Sequence, residues 1–244
     1  MAMKFFLFLA AAGAALAQQP TARHDNYYAI PRDAQVGERF AKQLQANIKA
    51  TTDSRLDQLG GRLASHSTQF RYQFFVYEGG QPSADTAPAA AFPADWRRLQ
   101  LDEAIAVAGG MIFVPRSLLG RDDAQLAAIL SHAMGHVALR HPTVSMTRGE
   151  LAQIEVQAAS RARPEEAPER VRAVALSRFA FDRTCEAAAD EYAAKLLRDA
   201  GFDPSALVAY LRTLPAPEGK DYAVYPDPAE RIENAQKVIS RLRR

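Results

Sequence analysis

The sequence predicts an α+β domain, mostly helical, with one small sheet lying between two groups of helices. Three observations predict it. Apolar residues recur at helical spacing on both sides of the middle of the chain. An aromatic-rich segment at 70–77 and two apolar segments near 101–114 read as strands, bounded or separated by glycine pairs. No internal repeat interrupts the order of helices, strands, helices.

The elements follow in order. Residues 18–32 carry little pattern and read as extended. From Asp33 to about Ala50, Val36, Phe40, Leu44 and Ile48 recur every four residues and predict an amphipathic helix. Leu56, Leu59 and Leu63 predict a second helix, interrupted at Gly60-Gly61. Phe70, Tyr72, Phe74, Phe75 and Tyr77 make a strand that stops at Gly79-Gly80. Residues 79–95 are rich in Gly, Pro, Ala and Asp and read as a surface loop, whether lid, docking surface or plain insertion. Leu101–Val107 and Met111–Val114 bracket Gly109-Gly110 and read as a hairpin or a strand pair. Asp122-Asp123 open a helix that runs to about His141, where Pro142 ends it. After a charged stretch at 160–170, a long helix runs from about Val171 to Ala200 and stops at Gly201. Asp203-Pro204 starts another, to Leu214, and a final basic helix begins near Asp227.

Composition narrows the function classes. Of the 244 residues, 48 % are hydrophobic and 24 % charged, which argues against wholesale disorder. The formal charge of +2 shows no clustered basic excess, so a nucleic-acid partner is not expected. Cys185 is the sole cysteine, which excludes an intrachain disulfide and any Cys-rich metal site. At the N-terminus, Lys4 precedes an apolar run from Phe5 to Ala17 that ends in Ala15-Leu16-Ala17. That is the pattern of a signal peptide over 1–17, and the run is shorter than the ~20 residues of a membrane span. No cysteine follows it to carry a lipid, and no later segment is apolar for long enough to span a bilayer. The expectation is an exported protein, periplasmic or secreted, with residues 18–32 leading into a single domain over 33–244.

Two helical clusters carry the candidate chemistry. His132 and His136 stand four residues apart, so both rings lie on one helix face and can reach one metal ion. The flanking Leu126, Ala127, Ile129, Leu130, Val137, Ala138 and Leu139 make this helix apolar nearly all round, and buried polar rings there need partners. Spacing and burial alone leave a metal pair and a non-metal pair, whether on the surface or partly buried and capped by backbone, equally open. Glu186 and Asp190 share a face of the long helix in the same way, among alanines that permit close approach. The bland alternative is a solvated face with Arg183 and Lys195 as salt-bridge partners. A Glu facing two His would complete a His₂Glu set, with Asp190 behind one ring.

The residues resemble the HtpX/BepA/Oma-type zinc metallopeptidases, relatives of the type I CaaX prenyl protease. The family's His-Glu-x-x-His helix is matched by Leu126 to His141, and its Ser-Arg-x-x-Glu-x-x-Ala-Asp helix by Asp182 to Asp190. The segment Ala104–Pro115 is similar to its strand pair, and Arg62–Ser67 and Ala200–Pro204 also match in order. The similarity spans residues 33–240. It implies a zincin-like (gluzincin) fold, one Zn²⁺ held by His132, His136 and Glu186, and Asp190 as an acid behind the ligands. It also implies metalloendopeptidase chemistry on polypeptides.

Two departures fall at the chemistry. Position 133, where the family has the glutamate general base, is Ala133. Losing such a group typically costs about 10²–10⁴ in rate. Glu191 points about 100° away from Asp190 around the helix, and Glu103 and Glu150 sit in or near loops with nothing to aim them at the site. The second departure is Tyr225-Pro226, ahead of Arg231-Ile232, where relatives often carry His-Pro. A tyrosine hydroxyl can donate to an oxyanion or close the fourth zinc position; a packed aromatic is the preferred reading. Cys185 reads as an inert, partly buried thiol, His141 as a charged or dipole-capping ring at a helix end rather than a ligand, and Trp96 and the aromatics of 70–77 as core. Three readings follow: an impaired or atypical exported metalloendopeptidase, a zinc-binding pseudopeptidase that holds unfolded exported chains as a chaperone or adaptor, and a helical domain without metal. The oligomeric state is left open.

Overall fold

Helix α3, Asp123–Ala138, runs through the middle of the chain, and every residue from Leu126 to Gly135 is buried. Its sequence explains this: a stretch apolar on all sides has no face to offer water. Asp122 caps it, its side chain accepting a hydrogen bond from the Gln125 amide at 2.8 Å. Such a cap contributes about 1 kcal/mol. The computed structural model describes residues 26–47, 49–78, 104–162, 167–214 and 227–243. The expected signal peptide, the 79–95 loop, Trp96, Glu103 and Tyr225 lie outside these residues.

Around α3 stand α1 (Ile30–Asn47), α2 (Ser54–Ala64), α4 (His141–Ala162), α5 (Ala167–Asp199), α6 (Ser205–Leu211) and α7 (Pro228–Leu242). Four strands, β1 (Ala50–Thr51), β2 (Gln73–Tyr77), β3 (Ile105–Val107) and β4 (Met111–Pro115), form one sheet in the order β1-β2-β4-β3. β2 and β4 run parallel, with Phe74 opposite Ile112, while β3 pairs antiparallel with β4 and β1 with β2. Side chains alternate across the sheet as a two-residue period requires. Phe74, Val76, Ile112 and Val114 face the main core with α2 and α3. Tyr77 and Phe113 face a smaller core under α1, with Ala41 and Leu44. The α+β expectation holds, and this is the small sheet beside α3. None of the described helices is long and apolar enough to cross a membrane.

Several expected boundaries are corrected. The first helix starts at Ile30, so the segment expected to be extended through residue 32 ends earlier, and Ala50 belongs to β1. Gly60-Gly61 do not interrupt α2; a Cβ at Gly60 would lie 2.2 Å from Phe74 Cε2, so the glycine admits that ring. The aromatic strand begins at Gln73 rather than Phe70, α5 begins before Val171, and α6 stops at Leu211. The largest difference is at Pro142. It does not end α3, which stops at Ala138; it sits in the first turn of α4, a helix not expected from the sequence. Proline is at home there because a first-turn N–H has no helical partner to lose.

α3 packs most extensively against α5. The contact is close because Gly135 meets Ala189: a Cβ at 135 would stand 2.9 Å from the Ala189 carbonyl oxygen and 3.1 Å from its Cα. Small residues on both helices let the backbones approach. This crossing sets His132 and His136 opposite Glu186 and Asp190.

Candidate metal centre

The two histidines and the glutamate converge. His132 Nε2 lies 3.1 Å from His136 Nε2. Glu186 Oε2 is 3.3 Å from His132 Nε2, and Glu186 Oε1 is 3.3 Å from His136 Nε2. Bonds of about 2.0–2.1 Å at tetrahedral angles place ligand atoms about 3.3–3.4 Å apart, close to these separations, with one carboxylate oxygen turned to each ring. Among the described residues, His132, His136 and Glu186 form the group of donor atoms that could hold a metal. Glu186 Oε2 is buried without an aligned hydrogen-bond partner. A buried carboxylate beside two imidazole nitrogens is a donor set that suits a cation.

The surroundings hold this triangle in place. Asp190 Oδ1 is 2.9 Å from His132 Nδ1, although off the axis of a straight hydrogen bond. Arg231 in α7 grips Asp190 with both arms of its guanidinium, Nε to Oδ2 at 2.8 Å and Nη2 to Oδ1 at 2.9 Å. Its Nη1 also reaches Glu186 Oε2 at 3.2 Å. Behind His136, His141 Nδ1 lies 3.1 Å from His136 Nδ1. Arg183 and Lys195 do not serve the two carboxylates; they approach Glu230 at 3.9 Å and Glu191 at 2.5 Å. The solvated-face alternative is therefore corrected.

Electrostatics follow from this packing. Burial pushes the His132 pKa down, but Asp190 and Glu186 outweigh it and raise the ring to about 9 in the metal-free chain. Burial opposes ionisation of Glu186, yet His136 and Arg231 hold its carboxyl well below the usual range. Asp190 is likewise lowered, burial being overcome chiefly by Arg231. His141 is pushed down to about 3, first by burial and then by His136 beside it. It sits at the start of α4 rather than at the end of α3, and at that low pKa the ring is not the charged one of the two expected alternatives.

Ala133 is 2 % exposed and belongs to the main apolar core. Neither described substitute for its missing carboxylate is available. Glu150 accepts from the Tyr28 hydroxyl at 2.6 Å, and Glu191 pairs with Lys195. Cys185 is buried, as expected of an inert thiol. Phe70 and Tyr72 pack against the core.

Two residues of the site were missed in sequence. Arg231, Ala235 and Ile239 are the buried residues of α7 at four-residue spacing, so the pattern placed Arg231 on the inward face. For His141 the signal was Pro142, had it been read as a first-turn residue.

Residues 85–239 match peptidase family M48. The chain belongs to this family. The match contains α3 and α5 and most of α7, and so every residue of the cluster, whereas α1, α2, β1 and β2 precede it. The family is zinc-dependent, and the mostly helical chain with its small mixed sheet has the family's zincin-like fold. Membership of this family points to a zinc metallopeptidase. A comparison with curated proteins finds no match.

Proposed function

We propose that His132, His136 and Glu186 ligate one zinc ion, and that the protein is an exported metalloendopeptidase-type protein acting on polypeptide chains with impaired catalysis. The observation that carries this reading is the convergence of two imidazole nitrogens and the Glu186 carboxylate at 3.1–3.3 Å, from two helices remote in sequence. Zinc, when bound, supplies a Lewis acid that polarises a peptide carbonyl and acidifies a water. The chain's own residues do the rest. Arg231 and Asp190 fix His132; Glu186 carries the negative charge that balances the ion. β3 has no second strand partner among the described residues, so its outer edge suits an extended peptide added as a further strand.

Ala133 sets the limit on turnover. It offers no proton acceptor, and the two described candidate substitutes, Glu150 and Glu191, are committed elsewhere. This favours a second reading, a zinc-holding pseudopeptidase that binds unfolded exported chains as a chaperone or adaptor without cutting them. One experiment separates the two. Cleavage of an unfolded reporter protein is compared between the wild type and Ala133→Glu, with and without chelator. Chelator-sensitive cleavage by the wild type supports the peptidase. Cleavage by the variant alone, about 10²–10⁴ above background, supports the pseudopeptidase. Absence of zinc from both proteins refutes both readings. Mass spectrometry of the exported protein tests the leader: a mature N-terminus at Gln18 is expected.

A further inference from the structure

We infer that His141 is a positioning residue for His136, accepting its Nδ1 proton so that Nε2 is the nitrogen presented to the metal. The inference rests on the zinc-site reading above. The two Nδ1 atoms are 3.1 Å apart and their rings meet edge to face, with centroids 5.0 Å apart. Atoms so placed share one proton: one nitrogen donates and the other offers a lone pair. His136 Nε2 faces His132 and Glu186, and a neutral ring that ligates through Nε2 keeps its proton on Nδ1. His136 is therefore the donor, and His141 the acceptor with its own proton on Nε2.

His136 Nε2 lies 3.1 Å from His132 Nε2 and 3.3 Å from Glu186 Oε1, so that nitrogen faces the ligand cluster while Nδ1 faces His141. The two ligand rings are thus held by different chemistry, a carboxylate behind His132 and a neutral imidazole behind His136.

The backbone is built to bring His141 to this place. Only Leu139 and Arg140 link α3 to α4, and Arg140 adopts a left-handed φ of 61°, the one described non-glycine residue to do so. That conformation turns the chain back so that His141 returns over His136. It is held by Asp33, which takes Arg140 Nε at 2.7 Å and Nη2 at 2.9 Å, and by the Tyr28 carbonyl. Asp33 is 1 % exposed and precedes the family match, so the start of α1 fastens a turn next to the site.

The test uses the full chain. NMR on ¹⁵N-labelled, metal-free wild type should show a nitrogen–nitrogen coupling across the hydrogen bond between the two Nδ1 atoms. Its absence overturns the inference, whatever the zinc content. Zinc affinity is then measured by competition for two variants. His141→Asn keeps an acceptor at the δ position and should stay within about threefold of wild type. His141→Leu keeps bulk without an acceptor and should bind about 10–100-fold more weakly, the usual cost of losing such a partner. Equal affinities for the two variants, whether weakened or unchanged, overturn the inference. Should the Leu variant fail to fold, the coupling decides. A wild type that shows the coupling yet binds no zinc refutes the zinc reading and leaves the His136–His141 bond standing.

Discussion

Replacing Gly135 by alanine tests whether the close crossing of α3 and α5 makes the metal centre. The added Cβ would lie 2.9 Å from the Ala189 carbonyl oxygen and 3.1 Å from Ala189 Cα, where ordinary contact begins at 3.4 Å. Both obstacles are backbone, so neither can rotate aside. The helices must part by a few tenths of an ångström, enough to separate Glu186 from the two histidines, because zinc sites tolerate distance errors of only about 0.2 Å. Overpacking of this kind costs about 1–3 kcal/mol, offset by about 0.5–1 kcal/mol because alanine is the better helix former. A net loss of about 1–2 kcal/mol is expected by urea denaturation of the metal-free protein, with zinc binding weakened at least about tenfold. Gly61→Ala is the control: nothing lies within 4 Å of its added Cβ, so the variant should gain about 0.5–1 kcal/mol and bind zinc normally. If Gly135→Ala matches the control in both measurements, the reasoning about the crossing is wrong.

Three further outcomes are expected. Arg231→Met strands Asp190 and Glu186 without their cation, and the metal-free protein should lose about 3–5 kcal/mol in denaturant titrations. Asp33→Asn removes the charge that holds Arg140, and should cost about 1–3 kcal/mol by the same assay. The pH dependence has a defined sign. Because the His132 pKa is raised to about 9 in the folded metal-free chain, its contribution is full below about pH 6.5 and is lost as pH rises from there to 9. Zinc binding competes with that proton, so over the same window affinity should rise with pH and calorimetry should record proton release.

Much of the centre was legible because helical spacing is a strong signal. His132 with His136 and Glu186 with Asp190 each occupy one face whatever surrounds them, and the apolar flanks of α3 announced its burial. That the two faces meet depends on Gly135 against Ala189, a packing fact no local pattern states. α4 was lost because Pro142 reads alike as the end of one helix and the start of the next. The deciding residue, Arg140, is not a glycine, so its left-handed turn left no mark in the sequence. At Gly60 the opposite error arose: the residue looked like a helix break and is a seat for the Phe74 ring. β1, at two residues, is too short for any periodicity to register. Arg231 stood in plain view at a four-residue spacing with Ala235 and Ile239, but a charged residue in a basic helix is ordinarily assigned to the surface.

X-ray absorption at the zinc edge, on protein loaded with one equivalent of zinc, probes the convergence of the two helices most directly. Two imidazole nitrogens and oxygen ligands at about 2.0–2.1 Å are expected, with the imidazole signal lost in His136→Ala and the affinity sharply reduced in Glu186→Ala. A sulfur neighbour, or zinc held equally well without Glu186, would contradict a centre built from α3 and α5.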